Sequence, residues 1–91
     1  MRHIQWLDWA IEDLEHIRAH IQKENPQAAQ EVAQRIITAT SRLAKYPKSG
    51  RNGRVPGTRE LVIPGLRYIL PYRITKDAIQ ILRVFHDAQE Y

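Results

Sequence analysis

The sequence predicts an α+β fold, an N-terminal helical hairpin packed on a small antiparallel β-sheet. Three features predict it. Two apolar stripes of helical spacing precede residue 45, and Asn25-Pro26 breaks the chain between them. Proline and glycine then cluster from Pro47 to Gly57. Beyond them the apolar pattern shortens to strand-length pieces. The 91 residues support one modest core, so the chain reads as one domain, 1–91, without repeats or linkers.

Residues 3 to 6 suit a short opening strand. From Asp8 the period is helical, with Ala10, Leu14, Ile17 and Ile21 on one face and Ile11 beside them. Asp8 is the expected N-cap, and Glu12 and Asp13 put negative charge in the first turns, where the helix dipole favours it. Asn25 should cap the second helix, with Pro26 at its first position, which needs no intrahelical N–H. Ala29, Val32, Ile36, Ala39 and Leu43 form its apolar stripe. Two such stripes joined by a tight break give an antiparallel hairpin. Strands are expected over residues 60–63, 67–75 and 78–86, joined by turns at Pro64-Gly65 and Lys76-Asp77. The last is apolar on both faces, as a central strand would be. Pro71 cannot donate to a ladder, so a bulge or an outward-facing position is expected there. The hairpin would cover one face of the sheet.

Charge is distributed unevenly. Six basic and six acidic residues precede Lys48, whereas Lys48 to Lys76 holds Lys48, Arg51, Arg54, Arg59, Arg67, Arg73 and Lys76 against Glu60 alone. The net +4 therefore sits in the second half of the chain. Mixed signs would solubilise a surface equally well, so a one-sided basic face points to an anionic partner: nucleic acid or an acidic protein. The absence of cysteine excludes disulfides and thiolate zinc sites, and fits a reducing cytoplasm. No apolar run has the length of a membrane span, so neither a signal peptide nor an anchor is expected.

Certain residues stand in an ordered set: Leu43-Ala-Lys-Tyr-Pro47 with Gly50-Arg51, Arg54-Val-Pro-Gly57, Arg59-Glu60-Leu61, Tyr68-Ile-Leu-Pro-Tyr-Arg-Ile74 and Ile81-Leu-Arg-Val-Phe-His86. Together with the order strand, helical hairpin, basic loop and meander, the set resembles the RelE/ParE superfamily of bacterial type II toxins. The resemblance implies a toxin held silent by a cognate antitoxin whose disordered tail wraps it. Operator DNA would be reached only through that antitoxin. No cofactor and no metal are expected. The resemblance also implies one of two targets: DNA gyrase for ParE-type members, or messenger RNA in the ribosomal A site for RelE-type members. Matching Leu70-Pro71-Tyr72 to the Arg-Leu-Val-Tyr-like run of RelE-type members puts Ile69 where their arginine stands, with Arg67 two positions earlier. Arg54-Val-Pro-Gly-Thr-Arg-Glu60 and Arg-Val-Phe-His86 resemble the ParE branch, so gyrase inhibition leads. Ribosome-dependent cleavage is the alternative, with Arg67, Arg83, His86 and Tyr91 as its candidate residues.

Target contacts are expected at Arg54, Arg59, Arg67, Arg73, Arg83 and His86. Strand alternation puts Arg67 and Arg73 on one face as a shared anion site, with Tyr68 and Tyr72 similarly spaced for stacking a base. The plainer readings are a solvated face and tyrosine packing. His86 suits a proton shuttle or phosphate donor, or else a strand-end histidine bonded to backbone. Arg83, three residues earlier, points to the opposite face unless the strand bulges, and its structural alternative is pairing with an acid such as Glu60. His16 and His20 have a zinc-compatible spacing but no evident third ligand, which favours a solvent-facing pair. Trp6 and Trp9 read as core or interface anchors. Arg51-Asn-Gly-Arg54 is a weak phosphate loop.

Overall fold

The computed structural model describes residues 2–87. Strand β1 (His3–Trp6) leads into helices α1 (Asp8–Gln22) and α2 (Pro26–Ser41), then a 3-10 turn (Arg42–Ala44). Five strands follow: β2 (Arg51–Asn52), β3 (Arg59–Ile63), β4 (Tyr68–Ile74), β5 (Ala78–Ile81) and β6 (Phe85–His86). Asn25 caps α2, its side chain accepting from the Ala28 N–H at 3.0 Å, and Pro26 opens the helix. Helix α1 differs from expectation. Its N-cap is Leu7, which makes no side-chain cap bond, and Asp8 is the first helical residue.

The sheet runs β1-β5-β4-β3-β2, with β6 also paired to β4. Strands β3, β4 and β5 form the expected antiparallel meander. The sheet as a whole is mixed, however, because β1 pairs with β5 in parallel. The physical reason is the long connection between them, through the helical hairpin and then β2, β3 and β4, which returns the chain beside β1 in the same direction. In-register rows Ile4–Ile79–Ile74 and Trp6–Ile81–Tyr72 pack with Ala10, Ile36 and Leu43 of the helical layer. Ile36, Leu43, Leu70, Tyr72, Ile79 and Ile81 are wholly buried there. On the opposite face Arg73 donates to Gln80, and Gln80 donates to Gln5 at 3.1 Å.

The expected continuous strand from Ala78 to His86 is interrupted at residues 82–84. Between the pairs Tyr72↔Ile81 and Ile69↔Phe85, β4 has two residues and the opposing chain has three. This is a one-residue bulge. It lies opposite Pro71, which has no N–H to offer. The Pro71 carbonyl still accepts from Leu82 at 2.9 Å, and the Val84 N–H leaves the sheet for the Asp13 carboxylate at 2.9 Å.

Candidate functional site

The basic residues gather at one end of the sheet rather than along a face. Where β3 begins and β4 ends stand Lys48, Arg51, Arg54, Arg59 and Arg73, with Arg2 bound to the Thr75 carbonyl at 2.7 Å. Glu60 organises the loop. Only 3% exposed, it accepts from Arg51 Nε at 2.9 Å and from the Arg54 N–H at 3.2 Å. Arg59 is part-buried and bonds inward, its Nε to the Gly50 carbonyl and Nη2 to the Lys48 carbonyl, both at 3.0 Å. It holds the loop in place. Arg54 and Arg73 are the exposed candidates at this end.

The shared anion site expected of Arg67 and Arg73 does not form. Arg67 lies in the turn before β4 with φ 61°, and Arg73 lies near the other end, roughly 20 Å away at the usual strand rise. Arg67 is tied to Asp87 at 3.0 Å. Nor does residues 51–54 form a phosphate cradle, because the N–H of Gly53 goes to Thr58 and that of Arg54 to Glu60. Tyr72 is a packing residue. Wholly buried, it donates to the Pro47 carbonyl at 2.7 Å and accepts from the Gly50 N–H at 3.0 Å.

The acid paired with Arg83 is Asp13 of α1, while Glu60 serves Arg51. Arg83 Nε and Nη2 grip the two Asp13 oxygens at 2.8 and 3.1 Å. That carboxylate raises the Arg83 pKa, holding the charge fixed. The guanidinium also lies 4.9 Å from the Phe85 ring centroid and 5.7 Å from that of Trp9. Trp9 is largely exposed, whereas Trp6 packs on the core. The sequence reading missed Asp13 as a clamp, for nothing local distinguishes it from the other acids early in α1.

His86 stands edge-on to Tyr68, with ring centroids 5.6 Å apart. Both line a groove of about 340 Å³ with Asp13, His16, Ile17, His20 and Val84. Burial raises the Tyr68 pKa and keeps the phenol protonated. His16 and His20 are solvent-exposed, and among the described residues no three His, Cys, Asp or Glu side chains are placed to hold a metal. Tyr91 lies outside the described residues. Among those described, no helix is long and apolar enough to cross a membrane.

A family model described as the ParE toxin of the type II toxin-antitoxin system parDE matches residues 4–91. The chain is 47% identical over 90 residues to Y4kP of Sinorhizobium fredii, spanning 99% of this chain and 93% of the relative. It is 34% identical over 89 residues to toxin RelE2 of Caulobacter vibrioides, covering 98% and 99% respectively. A chain from the chromosomal ParDE system of P. aeruginosa superposes with a TM-score of 0.86 at 29% identity, covering 94% of this chain and 96% of that one. YafQ of E. coli, at 19% identity and a TM-score of 0.51 over 97% and 96% of the two chains, shares the fold.

Proposed function

The chain belongs to the ParE toxin family of type II toxin–antitoxin systems, and from that premise we propose that it arrests growth by inhibiting DNA gyrase in the cytoplasm. A cognate antitoxin would hold it in check, and operator DNA would be bound only through that antitoxin. The observation that supports gyrase over RNA cleavage is the engagement of the arginine candidates for catalysis. Arg83 is gripped at both Asp13 oxygens, and Arg67 is tied to Asp87 in a turn. Each is partnered by a carboxylate of the chain itself, which would have to be displaced before the cation could serve a scissile phosphate. The exposed Arg54 and Arg73, on a loop and strand end made rigid by Arg59 and Glu60, are the proposed target contacts. An acid-rich antitoxin tail would neutralise this end and cover apolar grooves along the helical hairpin, folding as it binds.

One observation favours the second reading, ribosome-dependent cleavage of messenger RNA. His86 and Tyr68 meet in an open groove, where an imidazole beside a phenol could move protons. Two assays on the purified protein separate the readings. Gyrase with supercoiled plasmid should accumulate trapped cleavage complexes, and toeprinting on programmed ribosomes should show no new stops. Codon-spaced cuts without gyrase trapping would overturn the gyrase reading.

A further inference from the structure

Two histidines on α1 take no part in the fold or in the proposed target contacts. His16 and His20 stand four residues apart, so their side chains share a face of the helix, with Cβ atoms about 6 Å apart. Both are exposed, and both line the groove that also holds Tyr68 and His86. Among the described residues, neither imidazole makes a hydrogen bond or an ion pair. The charged groups around them are committed elsewhere. Arg18 is paired with Glu15, and Asp13 accepts from Arg83 and the Val84 N–H.

The spacing of the pair is fixed before anything binds. Leu14 and Ile17, on either side of His16, pack against the core and hold α1 to the sheet. Two donors on a helix already formed lose little backbone entropy when they close on one ion.

We propose that His16 and His20 chelate a divalent transition-metal ion, one ring nitrogen from each, with water completing the coordination shell. Imidazole nitrogen suits zinc, copper and nickel, whereas magnesium and calcium take oxygen ligands. A zinc–nitrogen bond is about 2.0–2.1 Å long, and two histidines one helical turn apart are the pair that a His-Glu-x-x-His helix offers to zinc. The chain supplies two donors and no third, in keeping with the described residues as a whole. Glu12 continues the stripe one turn before His16, but it lies about 12 Å along the axis from His20. It adds negative field at that end of the pair without reaching the same ion. Structural zinc sites are closed by four protein ligands, so a two-histidine site is an exchangeable one. An ion held there would place positive charge at the rim of the groove beside Tyr68 and His86. The site stands whichever target the toxin takes.

The test uses the full chain, untagged and ¹⁵N-labelled, titrated with zinc chloride at pH 7.5. Amides of residues 13–22 should shift and saturate near one bound ion. Affinity should fall tenfold or more in His16→Gln and in His20→Gln. The deciding variant is R18H/H20Q, which keeps four histidines but sets the pair two residues apart, on opposite sides of the helix. It should bind no better than His20→Gln. All three positions are exposed, and unchanged amides outside α1 show that each variant folds. The proposal is overturned if R18H/H20Q binds zinc as tightly as the parent, or if His86→Gln loses as much affinity as His20→Gln. Shifts that map away from α1, or equal shifts with magnesium chloride, would overturn it too.

Discussion

Asp13 shows how much one side chain can be asked to do. It accepts from two nitrogens of Arg83 and from the Val84 N–H, so it joins α1 to the chain just past β5. Asp13→Ala strands all three donors, and the expected cost is about 2–3 kcal/mol. Urea unfolding measures it; an unchanged midpoint would mean that the clamp contributes nothing. Gly50 offers a steric counterpart. A Cβ there would stand 2.5 Å from the Tyr72 hydroxyl and 2.8 Å from the Glu60 carbonyl, too close for any carbon. Gly50→Ala should cost about 1–3 kcal/mol through overpacking. Gly57→Ala faces open space and meets only the penalty of its φ of 84°, about 1 kcal/mol. A thermal melt in which the Gly57 variant is the less stable of the two would contradict this order.

Among the elements, α2 is the one whose start rests on a single residue. Asn25→Ala leaves the Ala28 N–H without its acceptor, and about 1 kcal/mol should be lost in the same unfolding experiment. Strand β4 carries a pH dependence through Tyr68 at its first position. Burial raises the phenol's pKa, so the native state holds that proton more tightly than the unfolded chain does. The Tyr68 contribution is therefore complete below pH 10.0 and lost as pH climbs through the raised value. Tyr68→Phe should flatten the alkaline limb of the stability profile. An identical limb in the variant would remove Tyr68 as its source.

For the whole molecule, the separation of charge is the feature that the proposed function puts to the test. Cations stand at the end of the sheet where β3 begins and β4 ends, and the paired Arg67 stands at the other. If the first end meets the target, R54Q/R73Q should weaken gyrase trapping tenfold or more while leaving the melting temperature near that of the parent. Arg18→Gln, on the exposed face of α1 and paired with Glu15, should leave trapping unchanged. Equal losses per charge removed in the two variants would show that net charge alone matters and that the sheet end has no special part.

Local pattern was sufficient for several features. The hairpin, its Asn25-Pro26 junction and the three-stranded meander follow from apolar spacing and from residues that start or stop elements, which act over a few positions. The family resemblance was legible too, since it lay in ordered short motifs. The role of each arginine was not. Arg59, Arg67, Arg73 and Arg83 look alike in the chain, yet Arg59 holds backbone carbonyls and Arg83 holds an acid 70 residues away. The parallel entry of β1 and the bulge opposite Pro71 belong to the same class. Each depends on groups brought together by the crossover and the meander. Periodicity states which way a side chain points, but only closure of the sheet against the hairpin decides what it meets.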